Sequence, residues 1–399
     1  MGRTGRSQAS DDPGSMAHAW RYRTSRDGPP AIAWRNSVHI APTGPPPGIR
    51  HGSDEVRLTY VSTCATTSRE SAESLAGTAA PARTWLLIEQ PGPWGAHALT
   101  DSHLDPDVGR ALEAAAEGTG VRVALIRRPG RHADRHGAPR RRLFLAHTAP
   151  GRSWIRTTTV TDPQAALGLN FAALGAGEHH GVWEPYLGEP LVLVCTNGKR
   201  DRCCALLGRP LAAELAAGGT EAWEVTHIGG HRFSPTLFVL PYGYAYGRAS
   251  APLVKEAVES ARSGRITVGH ARGRSTWDRP GQAADLAVRE LIGEDLADAL
   301  DVVRTDTVWP EPKPADSLTS GSAAIPAASA AWAVTVAHSD GRTWRVIVEQ
   351  RTDGAAAPAS CGAPLGPPAR MAIVSITTAS VSLGASSGTP QRTPQPVGR

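Results

Sequence analysis

The chain has 399 residues, of which 40% are hydrophobic and 20% are charged, and its formal net charge is +5. This length is sufficient for two or three domains, and the composition is typical of folded globular proteins, which excludes a fully disordered chain. The longest apolar runs are far shorter than the roughly 20 residues of a membrane-spanning helix, so a transmembrane protein is excluded as well.

The distribution of basic residues and the number of cysteines predict the class of binding partner and the cellular compartment. The most basic stretch, Arg127 to Arg142, is broken by Pro and Gly and has no interleaved aromatic residues, so we expect a solvated loop and no nucleic-acid partner. Five cysteines are too few for a disulfide scaffold, and no signal sequence is recognisable. A reducing, cytoplasmic location is therefore expected.

The first half of the chain is predicted to contain an N-terminal arm followed by an α/β unit. Residues 1–55 are rich in Gly, Pro, Ser and Arg without periodicity, which predicts a disordered arm. Within residues 56–190, the patterns predict strands at Trp85–Glu89 and Val121–Ile126, a helix from Asp105 to Gly118 between them, and a further strand at Leu143–Ala146.

A second unit occupies residues 191–313 and begins with a buried-strand pattern at Leu191–Val194. Its β, α, β, β, α order is typical of a thioredoxin-like domain. The later elements predicted are a helix at Pro210–Ala217, strands at Trp223–Thr226 and Thr236–Leu240, and helices at Ser250–Arg262 and Gln282–Leu300.

The last part of the chain is predicted to be a linker and a small β module. Residues 314–330 have linker composition, and residues 331–383 contain two alternating segments around Asp340-Gly341, which indicates a hairpin. Residues 384–399 are expected to be a disordered tail. The predicted fold class is α/β, with two thioredoxin-like halves and a small C-terminal β-hairpin module.

The residues that point to chemistry are three cysteines and two histidines at strand ends. Cys195, Cys203 and Cys204 follow one buried strand, and His227 and His231 follow the next. Two thiols and two imidazoles suit a tetrahedral zinc ion or a 2Fe-2S cluster. Zinc sites usually place cysteines two to four residues apart, but eight residues separate Cys195 from Cys204, which favours the two-iron cluster.

Other interpretations of these residues stay open. Gly229-Gly230, between the histidines, is expected to let the backbone pass close to a cluster. A structural zinc module in an interaction protein and a thiol oxidoreductase are the alternatives, although no Cys-x-x-Cys motif occurs. Four polar residues near these ligands have two possible roles. They could form a solvated rim, or they could donate hydrogen bonds to the sulfurs or dock an acidic redox partner. These residues are Lys199, Arg200, Asp201 and Arg232.

The chain resembles the sucrase/ferredoxin-like family of thioredoxin-like ferredoxins. The segments that carry the resemblance are Cys195, Lys199-Arg200-Asp201, Cys204, His227-Ile228-Gly229-Gly230-His231-Arg232-Phe233, Val239-Leu240-Pro241-Tyr242-Gly243 and Tyr246-Gly247-Arg248. Supporting matches upstream are Leu75-Ala76-Gly77-Thr78-Ala79, Glu89-Gln90-Pro91-Gly92-Pro93-Trp94-Gly95 and Arg127-Arg128-Pro129-Gly130-Arg131. The likeness covers roughly residues 56–300, and Ser360-Cys361-Gly362 adds a C-terminal piece.

The resemblance implies an electron-transfer protein whose 2Fe-2S cluster is held by Cys195, Cys204, His227 and His231. Cys203, next to Cys204, is the alternative second thiolate. An unidentified redox protein would be its partner, and no paired acidic motif supports glycoside hydrolysis, so a carrier is expected rather than a catalyst. Cys64 and Cys361 are isolated in the sequence and are interpreted as buried or incidental thiols.

Overall fold

Sixteen strands and six α-helices make up the part of the chain that the computed structural model describes, which is residues 63–130, 140–308 and 330–378. The helices are α1 (Cys64–Glu70), α2 (Pro106–Ala116), α3 (Phe171–Ala176), α4 (Arg209–Ala217), α5 (Ala251–Arg262) and α6 (Arg279–Ile292). The strands are β1 (Thr84–Glu89), β2 (Val121–Arg127), β3 (Arg141–His147), β4 (Trp154–Val160), β5 (Glu184–Pro185), β6 (Leu191–Cys195), β7 (Ala222–Val225), β8 (Leu237–Leu240), β9 (Tyr244–Tyr246), β10 (Ala271–Arg274), β11 (Leu300–Val308), β12 (Ala331–His338), β13 (Thr343–Arg351), β14 (Ala357–Pro358), β15 (Leu365–Gly366) and β16 (Arg370–Thr378).

Strands β1 to β10 form one mixed sheet in the order β10-β9-β8-β6-β7-β2-β1-β3-β4-β5. Two segments of the chain repeat the same pairing: β1 with β2 and β6 with β7 are parallel, and β3 and β8 add antiparallel beside β1 and β6. The segments meet where β2 pairs with β7, and Arg127 and Glu224 form a buried ion pair of 2.7 Å there. The mixed α/β class is confirmed, and the thioredoxin-like identity of each half stays a prediction.

The central strands form where the sequence is continuously apolar. All five residues of β6 are buried, as are the first five residues of β1, because helices or loops cover both faces of these strands. Helices α2, α5 and α6 each begin after a side-chain cap, from Asp105, Ser250 and Asp278 respectively, with Pro in the first turn. These rigid elements carry the loops described below.

The helix predicted at Gln282–Leu300 is too long. Helix α6 ends at Ile292 because Gly293 adopts a left-handed conformation with φ of 68° and caps it, and Leu300 begins β11 instead. The stretch from Arg127 to Arg142 is predicted to be a solvated loop, but its two ends are strands. Arg127 belongs to β2 and Arg141 belongs to β3. Residues 131–139 of that stretch lie outside the described residues.

The C-terminal strands form a second sheet in the order β11-β12-β13-β16. The segments predicted around Asp340-Gly341 pair antiparallel from Ala331 to Glu349, within a sheet that also includes β11 and β16. Helix α6 packs on this sheet, and Ala283, Ala284 and Val288 contribute to its core. The proposed domain boundaries stay a prediction; the arm at 1–55, the linker up to residue 329 and the tail at 384–399 lie outside the described residues.

No helix among the described residues is long and apolar enough to cross a membrane.

His147 in β3 is a buried base that predicts how stability depends on pH. Its Nδ1 is 2.8 Å from the hydroxyl of Thr84, which itself donates to the carbonyl of Leu174, so Nδ1 carries the proton and donates. The other ring nitrogen, Nε2, is buried and has no hydrogen-bond partner among the described residues. Burial, reinforced by nearby arginines, therefore lowers the pKa of His147 to about 4.

We expect acid to destabilise the protein through His147, because the unfolded chain binds the proton more tightly than the folded chain. The stability contributed by neutral His147 is complete above about pH 6.5 and is lost as the pH falls towards 4, by up to about 3 kcal/mol. Urea unfolding at pH 7 and pH 4 should show a smaller acid loss for His147→Asn, which keeps a donor to Thr84. Equal acid losses in the two proteins would contradict this assignment.

Candidate metal centre

The five cysteines of the sequence divide into two groups. In the first group, Cys195 and Cys204 lie with His227, and their ligand atoms are all within 4.8 Å of one another. In the second group, Cys64, Cys203 and Cys361 lie with Asp201 under the same limit. Each cysteine therefore belongs to a group of possible metal ligands.

The first group forms where β6 ends and the chain turns into α4. Cys195 is the last residue of β6, and Cys204 begins a π-helical turn at Cys204–Gly208; both thiols are buried. The turn can approach the strand because residue 208 is glycine: a Cβ there would lie 2.2 Å from the carbonyl oxygen of Cys195. The structure places Cys204, and not Cys203, beside Cys195.

The two histidines follow β7 and lie side by side, with ring centroids 5.3 Å apart. His227 belongs to the first group, whereas the structure does not bring His231 within the same 4.8 Å limit. Nε2 of His231 is 2.8 Å from the carbonyl oxygen of Ala359 and 3.7 Å from a carboxylate oxygen of Asp201. In both rings Nδ1 is buried and has no hydrogen-bond partner among the described residues.

These donors fit a metal or a metal cluster. A buried polar atom without a partner costs about 1 to 3 kcal/mol, and both histidines would otherwise carry that cost at Nδ1. Thiolate and neutral imidazole are ligands for zinc and for iron-sulfur clusters. Contact with Cys204 holds the pKa of the Cys195 thiol well below its ordinary value, and contact with Cys195 raises the pKa of Cys204, so one thiolate is already favoured.

Two guanidinium groups, one fully buried and one partly buried, lie close enough to the thiols of the first group to attract them. Arg272 is fully buried, and its hydrogen bonds go to the oxygens of Thr78 and to the carbonyl of Gly229, so no described carboxylate pairs with it. Burial lowers the pKa of Arg272 to about 9, and attraction to Cys195 and Cys204 opposes that shift. Arg122, which donates to the carbonyl of His227, is likewise attracted by Cys195. Negative charge on the thiols would compensate these cations.

The glycine pair between the histidines allows a tight turn and a close contact with Arg272. Gly229 and Gly230 have φ of 76° and 71°, which favour glycine, and they turn the chain between His227 and His231. A Cβ on Gly230 would lie 1.9 Å from the guanidinium of Arg272, whereas a Cβ on Gly229 would only touch Ala80 at 3.5 Å. Gly230 therefore makes room for Arg272, and close approach of the glycine pair to a cluster stays a prediction.

We expect Gly230→Ala to lower the free energy of unfolding by roughly 3 kcal/mol, because it combines left-handed strain with displacement of Arg272. Gly219→Ala is the matched control: its φ is 78°, but nothing lies within 4 Å of the added Cβ, so only about 1 kcal/mol is expected. Urea denaturation of both variants measures the difference. Equal losses would show that the contact with Arg272 has no energetic role.

Cys64 is buried, as expected, but Cys64 and Cys361 are not isolated in the fold, because both belong to the second group. The sulfur atoms are 3.4 Å apart for Cys64 and Cys203, 3.5 Å for Cys64 and Cys361, and 3.1 Å for Cys203 and Cys361. Asp201 is buried beside them and accepts hydrogen bonds from the backbone N–H groups of Cys203, at 2.8 Å, and Cys361, at 2.9 Å. Sequence separations of 139 to 297 residues left no spacing pattern to detect.

The polar residues around the loop take separate positions. Lys199 and Arg200 are exposed, as a solvated rim requires, but Asp201 is buried against the second group. Burial opposes ionisation of Asp201, but hydrogen bonds from Cys361 and Cys203 and the proximity of His231 outweigh it and lower the pKa. Arg232 pairs with Glu73 at 2.7 Å.

Comparison with known proteins supports the family suggested by the motifs. Residues 75–273 match the family model described as Sucrase/ferredoxin-like. This span contains the first group and His231, whereas Cys64 and Cys361 lie outside it. No curated protein and no solved structure matches the chain.

Proposed function

We propose, from the match of residues 75–273 to the sucrase/ferredoxin-like family, that the protein is an electron carrier with a 2Fe-2S cluster. Cys195 and Cys204 would hold one iron, and His227 and His231 would hold the other. Such a cluster, when bound, accepts and releases one electron at a time. The protein itself would act as a carrier for a redox protein partner and would catalyse no substrate chemistry.

The observation that carries this proposal is the buried, unpartnered Nδ1 atom of each histidine, together with the position of His227 beside the buried thiols of Cys195 and Cys204. Four donors of two kinds, on loops that follow β6 and β7, match the ligand count of a two-iron cluster. With Nδ1 directed inward, the carbonyl of Ala359 lies 2.8 Å from the outer nitrogen of His231 and can fix the orientation of that ring.

The surrounding residues would raise the reduction potential of the cluster. Two thiolates bring less negative charge than four, so an added electron is repelled less than in a cluster with four cysteine ligands. Arg272 contributes positive charge from a fully buried position, where the low effective dielectric constant strengthens its effect, and the partly buried Arg122 adds to it. Ser234 donates a hydrogen bond to the sulfur of Cys204 over 3.8 Å, which also stabilises negative charge there.

Electrons would enter and leave the cluster through the side of the site where His227 and His231 lie. His227 and His231 are only partly buried, whereas both thiols are almost completely covered. His227 borders a surface depression of about 800 Å³ that Arg110, Glu113 and Arg122 also line. A redox protein that docks on this face would approach the imidazole ligands first, and the mixed charges of the face would orient it.

A single zinc ion is the second candidate for this site. The specific observation in its favour is that Cys195, Cys204 and His227 alone form a group within 4.8 Å, which is compatible with three ligands of one ion. A structural zinc site has four protein ligands, so His231 would have to move closer to complete it, and the site would then only stabilise the fold. A thiol oxidoreductase is less well supported, since every cysteine contacts possible ligands rather than forming a Cys-x-x-Cys pair.

Metal analysis distinguishes these candidates. The full chain should be purified without oxygen, and iron, acid-labile sulfide and zinc should be quantified on the same sample together with the visible spectrum. The proposal predicts a coloured protein with about two irons and two sulfides per chain, which is the content of one such cluster. A colourless chain that takes up no iron on reconstitution would contradict it and favour the zinc alternative.

A further inference from the structure

We propose that Cys64, Cys203, Cys361 and Asp201 form a second metal site, which binds a single zinc ion. The family match at residues 75–273 includes Asp201 and Cys203 but neither Cys64 nor Cys361, so it does not account for the group as a whole. The proposal depends on the second group alone and not on the presence of a cluster at the first.

The distances between the sulfur atoms favour one ion over the alternatives. Three thiolates on a tetrahedral zinc, each about 2.3 Å from the metal, are roughly 3.8 Å apart. The observed separations of 3.1 to 3.5 Å are close to that value and far from the S–S bond of about 2.05 Å in a disulfide. Thiolates on different irons of a cluster would be held further apart by the bridging sulfides, so a polynuclear group fits poorly.

The fourth donor is already oriented towards the sulfurs. Both carboxylate oxygens of Asp201 lie 3.7 to 3.8 Å from the sulfur of Cys64, and each also accepts one backbone N–H from this group. A carboxylate oxygen can accept a hydrogen bond and bind a metal at the same time, since it has two lone pairs. Three thiols and one carboxylate complete the four-coordinate shell that structural zinc sites use.

Burial and charge also indicate a cation. Cys64 and Cys203 are each only 1% exposed, Asp201 is 4% exposed, and Cys361 is partly buried. Among the described residues no lysine or arginine forms an ion pair with Asp201, and the one basic group near its carboxylate is His231 at 3.7 Å. Two backbone N–H groups and His231 already favour the ionised carboxylate, and a divalent ion would compensate it further, together with thiolates formed beside it.

A zinc ion at this site would hold the segment that contains Ala359 and Cys361 next to His231. Its ligands come from the start of α1, from the loop before α4 and from the segment after β14, which are joined here and far apart in sequence. Ala359, two residues before Cys361, has its carbonyl oxygen 2.8 Å from Nε2 of His231. The ion would therefore stabilise both the fold and the contact that orients His231.

Zinc and iron counts on variants of the full chain test the proposal. Anaerobically purified wild-type protein should contain one zinc per chain regardless of its iron content. Cys361→Ser and Cys64→Ser should each lower the zinc content at least tenfold and leave iron unchanged. Cys195→Ser is the matched control, because it removes a thiol of the first group: it should retain zinc even though iron is lost.

A second measurement keeps the test decisive if a variant does not fold. Wild-type protein should be stripped with a chelator and titrated with Co²⁺, which gives thiolate charge-transfer bands when it occupies a site rich in cysteine. Bound Co²⁺ or Zn²⁺ should protect Cys361, the most accessible of the three thiols, from alkylation. No zinc, no cobalt bands and a disulfide between Cys203 and Cys64 or Cys361 would overturn the proposal, whatever the iron content shows.

Discussion

Replacing Cys204 with serine is expected to remove the iron from the purified protein, whereas the same change at Cys203 is expected to leave it in place. The two residues are adjacent, and Cys203 has helical φ and ψ as the chain enters the turn at Cys204–Gly208. Successive side chains of a helical turn point about 100° apart, so the two thiols reach different groups. Cys204 joins Cys195 and His227, and Cys203 joins Cys64 and Cys361.

Iron content and visible absorbance of the two variants, prepared in parallel without oxygen, measure this difference. We expect at least a tenfold loss of iron for Cys204→Ser, because a serine hydroxyl is a poor substitute for a thiolate. Cys203→Ser should keep most of its iron and lose zinc instead. If Cys203→Ser loses the iron and Cys204→Ser retains it, the ligand assignment is wrong.

Removing the buried charge of Arg272 should lower the reduction potential of the cluster. Arg272 is fully buried, has no described carboxylate partner and is attracted by both Cys195 and Cys204. The reduced state carries one more negative charge than the oxidised state, so the guanidinium stabilises it selectively. For Arg272→Gln we expect a decrease of about 50 mV, the order of one buried charge at an effective dielectric constant near 20.

Arg274→Gln is the matched control for this change. Arg274 lies two residues further along β10 and is also fully buried, but it pairs with Asp298 at 3.0 Å and donates to the carbonyls of Thr148 and Ala297. Its removal should destabilise the fold without changing the potential. Redox titration followed by visible absorbance measures both variants. Equal shifts would mean that the effect comes from general destabilisation rather than from charge near the thiols.

The sequence was most informative where the functional residues lie close together in the chain. Cys195, Cys204, His227 and His231 fall in one stretch, and the buried strand β6 is apolar throughout, so the strand and its loop could be predicted from local patterns. The adjacency of Cys203 and Cys204 could not be resolved in the same way. Their assignment depends on the direction of each side chain, which only the packing of the turn against β6 determines.

The second group shows where local patterns fail. Cys64 and Cys361 are 297 residues apart, and their sulfur atoms still lie within 3.5 Å. Each looks incidental by itself, because a single thiol behaves as a small apolar residue in any core. Likewise, local patterns did not show that Gly230 is also constrained by Arg272, which reaches it from β10.

If two histidines and two cysteines hold a 2Fe-2S cluster, electron paramagnetic resonance of the reduced protein should detect nitrogen from both imidazoles. The protein should be produced with ¹⁵N-histidine and with unlabelled histidine, and hyperfine couplings should be recorded for both. We expect a rhombic, Rieske-like signal with nitrogen couplings from two histidines that change on labelling and disappear with His227→Ala and His231→Ala together. A signal without histidine nitrogen coupling, or a protein without iron, would contradict it.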